Sequence, residues 1–314
     1  MVARFLTYIE SERRYSPLTL RNYKRDLELF LQWLGVSVEE FDPSQVTHHT
    51  IREWIVERMD SGVVASATLN RELSTLRSFF RWALSVGGVT SNPTQGIMSL
   101  RCSKKLPTFV AQSKMNRVNE CSFNKTDSEE FRDLRDGLIM LLFYSTGIRS
   151  AELVSIDLED FSDNFRTLKV KGKGGKERIV PIMECVRQII LLYISKIKQQ
   201  NICIYPHFPL FLSLRGAKNS GEVTPSRISA NMVYRIVRRD LGDAGVQGRK
   251  SPHVLRHTFA TQLLNAGADM REIQAILGHS SLQSTQVYTH NSISALQNAY
   301  KIAHPRGEQK KVDK

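Results

Sequence analysis

The seven residues Leu138 to Tyr144 (LIMLLFY) are apolar without a break, the longest such run in the chain. A segment apolar on every side must be surrounded by other elements, so it predicts a helix at the centre of a packed domain, ending at Gly147. It is far short of the roughly 18 residues a membrane span requires. Around it the chain must supply amphipathic partners, and it does. Leu69, Leu73, Leu76, Phe80 and Leu84 recur at helical spacing and predict a helix from Ser66 to about Leu84. Ser16-Pro17 is a helix start, with Leu20, Leu27, Phe30, Leu31 and Leu34 on one face before Gly35. His49 to Met59 predicts a third helix, with Ile51, Trp54 and Ile55 inward. At 314 residues, 41% hydrophobic and 24% charged, the chain holds enough apolar material for about two folded domains.

Strands are few. Thr167 to Lys171 and Arg178 to Ile182 alternate or carry β-branched residues, and Gly172-Lys173-Gly174-Gly175-Lys176 between them reads as a hairpin turn. Val186 to Ile197 predicts a helix. Thr224-Pro225 is read as opening another, with Arg235, Arg238 and Arg239 on its outer side. Ser251-Pro252 opens the next, ending at Gly267. Asp269 and Glu272 predict a capping box for a short helix ending at Gly278. A further helix is expected over 281–290, and 304–314 is expected to be disordered. The turn residues Gly87-Gly88, Asn92-Pro93 and Gly96 precede the basic stretch 101–107. The expected division is a helical domain over 1–103, a linker over 104–111 and a second domain over 112–303. The fold class is mostly α with a small antiparallel β-sheet.

Charge narrows the function. Lys and Arg number 44 against 31 Asp and Glu, a net +13. Residues 1–110 hold 14 basic and 11 acidic side chains, and residues 111–314 hold 30 and 20, so most of the excess lies in the second part. Such a surface suits a polyanionic partner. On the predicted helix from Ser66, the face of Asn70, Arg71, Ser74, Arg77 and Arg81 combines long cations with small polar groups, a pattern suited to a phosphate backbone. Cys102, Cys121, Cys185 and Cys203 are scattered, which fits a reducing cytoplasm. The N-terminus carries Arg4 and Glu10 and does not read as a signal peptide.

Several enzyme classes lack their motifs. The chain has no G-x-x-x-x-G-K-[ST], H-E-x-x-H or G-x-S-x-G. His253 and His257 have metal-ligand spacing without a third ligand, so neither a metal nor a cofactor is expected. What remains is a polar set in the basic half. Arg149 follows a helix-ending glycine, Lys173 sits at the hairpin tip, His253 and Arg256 share a helix face, His279 follows Gly278, and Tyr288 lies nine residues later.

That set, in order and spacing, resembles the tyrosine recombinases, specifically the bacterial Xer type. The resemblance is carried by 146–153 (TGIRSAEL), 172–181 (GKGGKERIVP), 252–261 (PHVLRHTFAT) and 277–290 (LGHSSLQSTQVYTH). The segments YSPLTLRNYKRDLELFLQWL and ATLNRELSTLRSFFRW extend it to the family's helical core-binding domain. The segment 112–127 fits the pattern poorly. The resemblance implies a two-domain DNA clamp: a SAM-like helical domain joined to an α/β catalytic domain. It implies cleavage by Tyr288 through a 3′-phosphotyrosyl link that conserves bond energy, so no ATP is needed. Arg149 and Arg256 would grip nonbridging oxygens, His253 and His279 would hold phosphate or assist proton movement, and Lys173 would protonate the leaving 5′-oxygen, with Lys176 its rival. Glu152 would orient an arginine. Double-stranded DNA carrying a specific site is the implied partner, with four protomers assembling on it. The alternatives are an integrase or transposase of a mobile element, a silent DNA-binding protein on the same scaffold, and a type IB topoisomerase. With the core-domain helix read as starting near Met1, the simple two-domain type is expected, without the arm-binding domain of many phage integrases.

Overall fold

A computed structural model describes residues 1–62, 64–102, 109–172, 175–200, 202–205, 207–216 and 223–278. The chain forms two compact units, Met1–Lys105 and Leu106–Lys314.

The first unit is built on four helices: α1 (Val2–Ser11), α2 (Pro17–Leu34), α3 (His48–Asp60) and α4 (Ser66–Ser85). Their limits follow from local chemistry. The Ser16 hydroxyl accepts from the Thr19 N–H, Pro17 occupies the first helical position, and Gly35 ends α2 in the left-handed conformation. Thr47 and Thr50 cap α3 reciprocally. Phe5, Phe30, Trp54, Phe79 and Phe80 form the centre, each almost wholly buried. Phe5 meets Phe79 edge-on at 5.3 Å, and Phe30 meets Trp54 the same way at 5.5 Å. The inward face of α4 is wider than its leucine repeat: Glu72, Thr75, Phe79, Trp82 and Ala83 are buried as well. Leu84, expected inside, is 42% exposed, because the apolar stripe drifts around the helix and Ala83 takes the last inward place.

The second unit orders α5 (Gln112–Thr126), α6 (Phe131–Thr146), α7 (Ser150–Ser155), β1 (Phe161–Ser162), β2 (Thr167–Lys171), β3 (Glu177–Pro181) and α8 (Glu184–Gln199). It continues with β4 (Leu212–Gly216), β5 (Val223–Arg227), α9 (Ala230–Asp243), α10 (Pro252–Asn265) and α11 (Met270–Leu277). The apolar run lies in α6, whose residues from Leu134 to Thr146 are all buried. Helices α5, α8, α9 and α10 pack around it. The sheet β1-β2-β3 is antiparallel, with Leu168 opposite Val180 and Val170 opposite Arg178.

Two readings need correction. Thr224-Pro225 does not open a helix. Both residues lie on β5, which pairs antiparallel with β4 in a two-stranded sheet where each strand has an open edge that tolerates proline. The start of α9 is set instead by Ser229, whose hydroxyl accepts from the Met232 N–H. Asp269 caps α11 by accepting from the Arg271 N–H at 2.6 Å, without a return bond from Glu272. The helix expected over 281–290 and the tail 304–314 lie outside the described residues. No helix among the described residues is long and apolar enough to cross a membrane.

Candidate active site

The site begins where α6 stops. Gly147 takes φ +59, which ends the helix and turns the chain sharply. Ile148 then plugs the core, and Arg149 emerges at the N-cap position of α7. One turn on, Glu152 folds back. Its Oε2 accepts the Arg149 backbone N–H at 2.9 Å, and its Oε1 accepts Arg149 Nη1 at 2.7 Å. The second Arg149 prong, Nη2, donates to the carbonyl of Gly278, 3.3 Å away at the end of α11.

Arg256 reaches the same place from α10. It is 8% exposed and donates Nη1 to the Gly147 carbonyl at 2.7 Å and Nη2 to the Leu277 carbonyl. Burial, with Arg149 adding to it, pulls the Arg256 guanidinium down to about 10, against the pull of Glu152. Among the described residues Arg256 is bonded to carbonyls and to no carboxylate, and a phosphodiester would suit its fork.

Sequence reasoning missed Arg178. It lies on β3 and grips Glu152 with both prongs, Nη1 to Oε1 at 3.0 Å and Nη2 to Oε2 at 2.7 Å. The signal was strand alternation. Arg178 shares the sheet face of the buried Val180, so its cation had to find an acceptor inside. Burial pushes the Glu152 carboxyl up, but Arg178 first, and then Arg149, outweigh it and hold it at about 2. The cluster therefore brings three guanidinium groups around one carboxylate. Anions in this place meet a surplus of positive charge.

His253 lies one turn before Arg256 on α10 and is exposed, while His257 is half-buried. Lys173, His279 and Tyr288 lie outside the described residues. The base of the hairpin is described: the Gly172 N–H donates to the Lys176 carbonyl at 2.7 Å, and the Lys176 side chain is exposed.

The expected DNA-facing residues divide by what they touch. Ser74, Arg81, Arg235 and Arg238 are exposed. Asn70 holds the peptide of Leu100 at both ends, donating to its carbonyl at 2.9 Å and accepting from its N–H at 2.8 Å. Arg77 donates to the Ile97 carbonyl and to Ser99 Oγ. Arg71 pairs with the buried Asp26. Arg239 bridges Asp136 and Asp240, at 2.8 Å to each. Among the described residues no group of His, Cys, Asp or Glu is arranged to hold a metal ion.

Comparison with known proteins agrees with this geometry. Residues 111–294 match the model of the phage integrase family, and residues 2–87 match the phage integrase N-terminal SAM-like domain. The chain belongs to the phage integrase family, the tyrosine recombinases. The chain is 37% identical over 309 residues to tyrosine recombinase XerC of Thermodesulfovibrio yellowstonii, covering 97% of this chain and 96% of that one. It is 33% identical to tyrosine recombinase XerD of Chlorobaculum tepidum, covering 96% and 95%. Among solved structures, XerH recombinase bound to a palindromic difH substrate has a TM-score of 0.66 at 21% identity, covering 96% of this chain and 84% of that one. The Tn1549 transposon integrase has 0.64 at 20%, covering 94% and 98%. These last two carry the fold.

Proposed function

We infer that this chain is a site-specific DNA recombinase of Xer type, cutting and rejoining duplex DNA by transesterification. One observation carries the reading: Arg149 and Arg256, from different helices, converge on the last two carbonyls of α11, one residue before His279 in the chain. Transesterification at phosphorus builds negative charge on the nonbridging oxygens, and two preorganised guanidinium groups meet it without reorganisation.

In this reading Tyr288 Oη attacks the phosphorus, the bond to the 5′-oxygen breaks, and Lys173 gives that oxygen its proton. His253 and His279 hydrogen-bond the phosphate or assist the proton leaving Tyr288. The phosphotyrosine keeps the bond energy, and a 5′-hydroxyl from another strand reverses the step. Four protomers acting two at a time would carry the exchange through a Holliday junction. Ser74, Arg81, Arg235 and Arg238 would contact the DNA backbone, and the two units would close on the duplex as a clamp. The occasion is resolution of chromosome or plasmid dimers in the cytoplasm.

The test is adduct trapping on a nicked suicide duplex carrying the recombination site. Wild type should form a covalent protein–DNA species mapping to Tyr288 by mass spectrometry. Tyr288→Phe should bind with similar affinity and form none. Adduct surviving in that variant would move the nucleophile elsewhere, and no adduct from wild type would favour a silent DNA-binding protein.

A further inference from the structure

Glu152 is 5% exposed and its two oxygens accept four hydrogen bonds: two from Arg149, through backbone N–H and Nη1, and two from Arg178. The Arg178 contact is the two-pronged one. An arginine fork on a carboxylate fixes the plane of both groups, whereas one prong leaves the carboxylate free to turn. Arg178 thus adds a two-pronged constraint from β3 to the two bonds that Arg149 gives Glu152.

Charge points the same way. Paired with Arg149 alone, the Glu152 carboxylate would cancel the guanidinium that is to meet a phosphate. Arg178 restores the surplus, so Arg149 can hold the carboxylate with one prong and still present net positive charge. A lysine or a neutral donor at 178 would not supply both the fork and the charge.

Arg178 also lies near two further parts of the site. A side chain at Gly278 would put its Cβ 3.2 Å from Arg178 Nη1 and 3.4 Å from its Cδ, so the glycine after α11 leaves room for this arginine. At Gly172, the base of the hairpin, a Cβ would lie 3.8 Å from Glu152 Oε1 and 4.0 Å from Arg178 Nη1. One side chain therefore joins the hairpin strand, the acid that orients Arg149, and the segment leading to His279.

We propose that Arg178 is a positioning residue for strand cleavage: its fork on Glu152 holds that carboxylate in plane, and thereby aims Arg149 and ties β3 to the arginine cluster. The proposal rests on the recombinase reading above. It makes a pH claim. Glu152 is faced by Arg149 from the turn before α7, Arg178 from β3 and Arg256 from α10. Without Arg178, burial regains ground, the carboxyl titrates higher within the acidic range, and Arg149 loses its anchor as pH falls through it.

The experiment uses the full chain on the nicked suicide duplex, measuring single-turnover adduct formation from about pH 4 to 8 for wild type, R178K, R178Q and E152Q. Carboxyl-labelled glutamate is titrated by NMR in parallel, the Glu152 signal being the one lost in E152Q. R178Q should be slower by about ten-fold or more, the scale for losing a group that orients a charged partner. Its deficit should deepen as pH falls, and Glu152 should titrate about one to three units higher. R178K, which keeps the charge without the fork, should fall between R178Q and wild type in both readouts. R178Q in an E152Q background should slow the reaction no further than E152Q alone. A folded R178Q with wild-type rate and titration overturns the proposal. So does a pH-independent loss with Glu152 unmoved, which would mark a merely structural residue. Should R178Q fail to fold, a folded R178K with wild-type rate and titration overturns it equally. No adduct from wild type would remove the recombinase reading and this inference together, whereas normal wild-type adduct with an indifferent R178Q removes this inference alone.

Discussion

Arg149 and Arg256 donate to consecutive backbone carbonyls, Arg149 to Gly278 and Arg256 to Leu277. Leu277 is the last residue of α11 and Gly278 its left-handed cap, and the Leu277 carbonyl is one of those a helix end leaves without a helical partner. The two carbonyls hold the two cations in place as neutral acceptors. A phosphate oxygen carries formal charge, so a guanidinium is drawn to it more strongly than to a neutral carbonyl. In the proposed reading, a phosphate would compete with these carbonyls for guanidinium groups already held in place.

Arg256→Ala should cost at least about 2–3 kcal/mol of transition-state stabilisation, the scale for one lost preorganised donor. Arg256→Lys should lose nearly as much. A single ammonium cannot span the carbonyls of Gly147 and Leu277 as the fork does. Single-turnover adduct rates check both, with binding affinity as the control. A lysine variant within about three-fold of wild type, under 1 kcal/mol, would show that charge alone suffices.

Glu152 should make the second unit acid-sensitive. Its ordinary value of 4.5 falls to about 2 in the fold, so the folded state favours the charged form. The stability this contributes is fully present above about pH 4.5 and is lost as pH falls toward 2. Each unit of such a shift is worth about 1.4 kcal/mol. Glu152→Gln should be less stable than wild type at neutral pH, and the difference should shrink on acidification through that window. Urea midpoints against pH measure it. A difference constant from pH 7 to pH 3 would mean that the carboxylate charge is not what the arginines stabilise.

The helices were legible because their signals are local: Ser16-Pro17 and Gly35 bracket α2, and Leu138 to Tyr144 marks the centre of α6. Arg149 and Arg256 were legible through motif order. Arg178 was not, because its importance lies in a pairing with Glu152 across 26 positions, and nothing near it in sequence marks the partner. Thr224-Pro225 misled for the opposite reason. It carries a strong local helix-start signal, which the pairing of β5 with β4 overrides. On α4, composition gave one polar face, but the structure assigns its members different work. Asn70 and Arg77 turn toward the peptides of Leu100 and Ile97, contacts that no helical periodicity can show.

That division predicts opposite behaviour for two residues of α4. Asn70→Ala removes both bonds to the Leu100 peptide and should destabilise the first unit by about 1–3 kcal/mol. It should leave the salt dependence of DNA binding unchanged. Arg81→Ala, at an exposed position, should change stability by less than about 0.5 kcal/mol. It should lower the slope of log affinity against log salt by about 1 if its guanidinium meets a phosphate. Denaturant melts and binding isotherms across salt separate the two. A reduced salt slope in the Asn70 variant, with no stability loss, would place that side chain on the DNA.

Gly147→Ala tests whether the turn after α6 is a structural requirement of the site. Two costs add there. The residue sits at φ +59, where a side chain costs roughly 1–2 kcal/mol. Its Cβ would also stand 2.4 Å from Phe259 Cδ1 and 2.8 Å from Leu277 Cδ2. Both partners belong to the small core of α10 and α11 with Leu263, Ile273 and Ile276, so neither can withdraw without disturbing the other, and overpacking adds about 1–3 kcal/mol. The same peptide carries the carbonyl that Arg256 holds, so any shift moves that guanidinium. The variant should lose roughly 2–5 kcal/mol in total and lose adduct formation with it. Gly267→Ala is the control: it has φ +86 and nothing within 4 Å, so it carries the backbone cost without the clash. Equal destabilisation in the two variants would mean that Phe259 and Leu277 yield freely, and that the close packing behind Arg149 and Arg256 does not fix their positions.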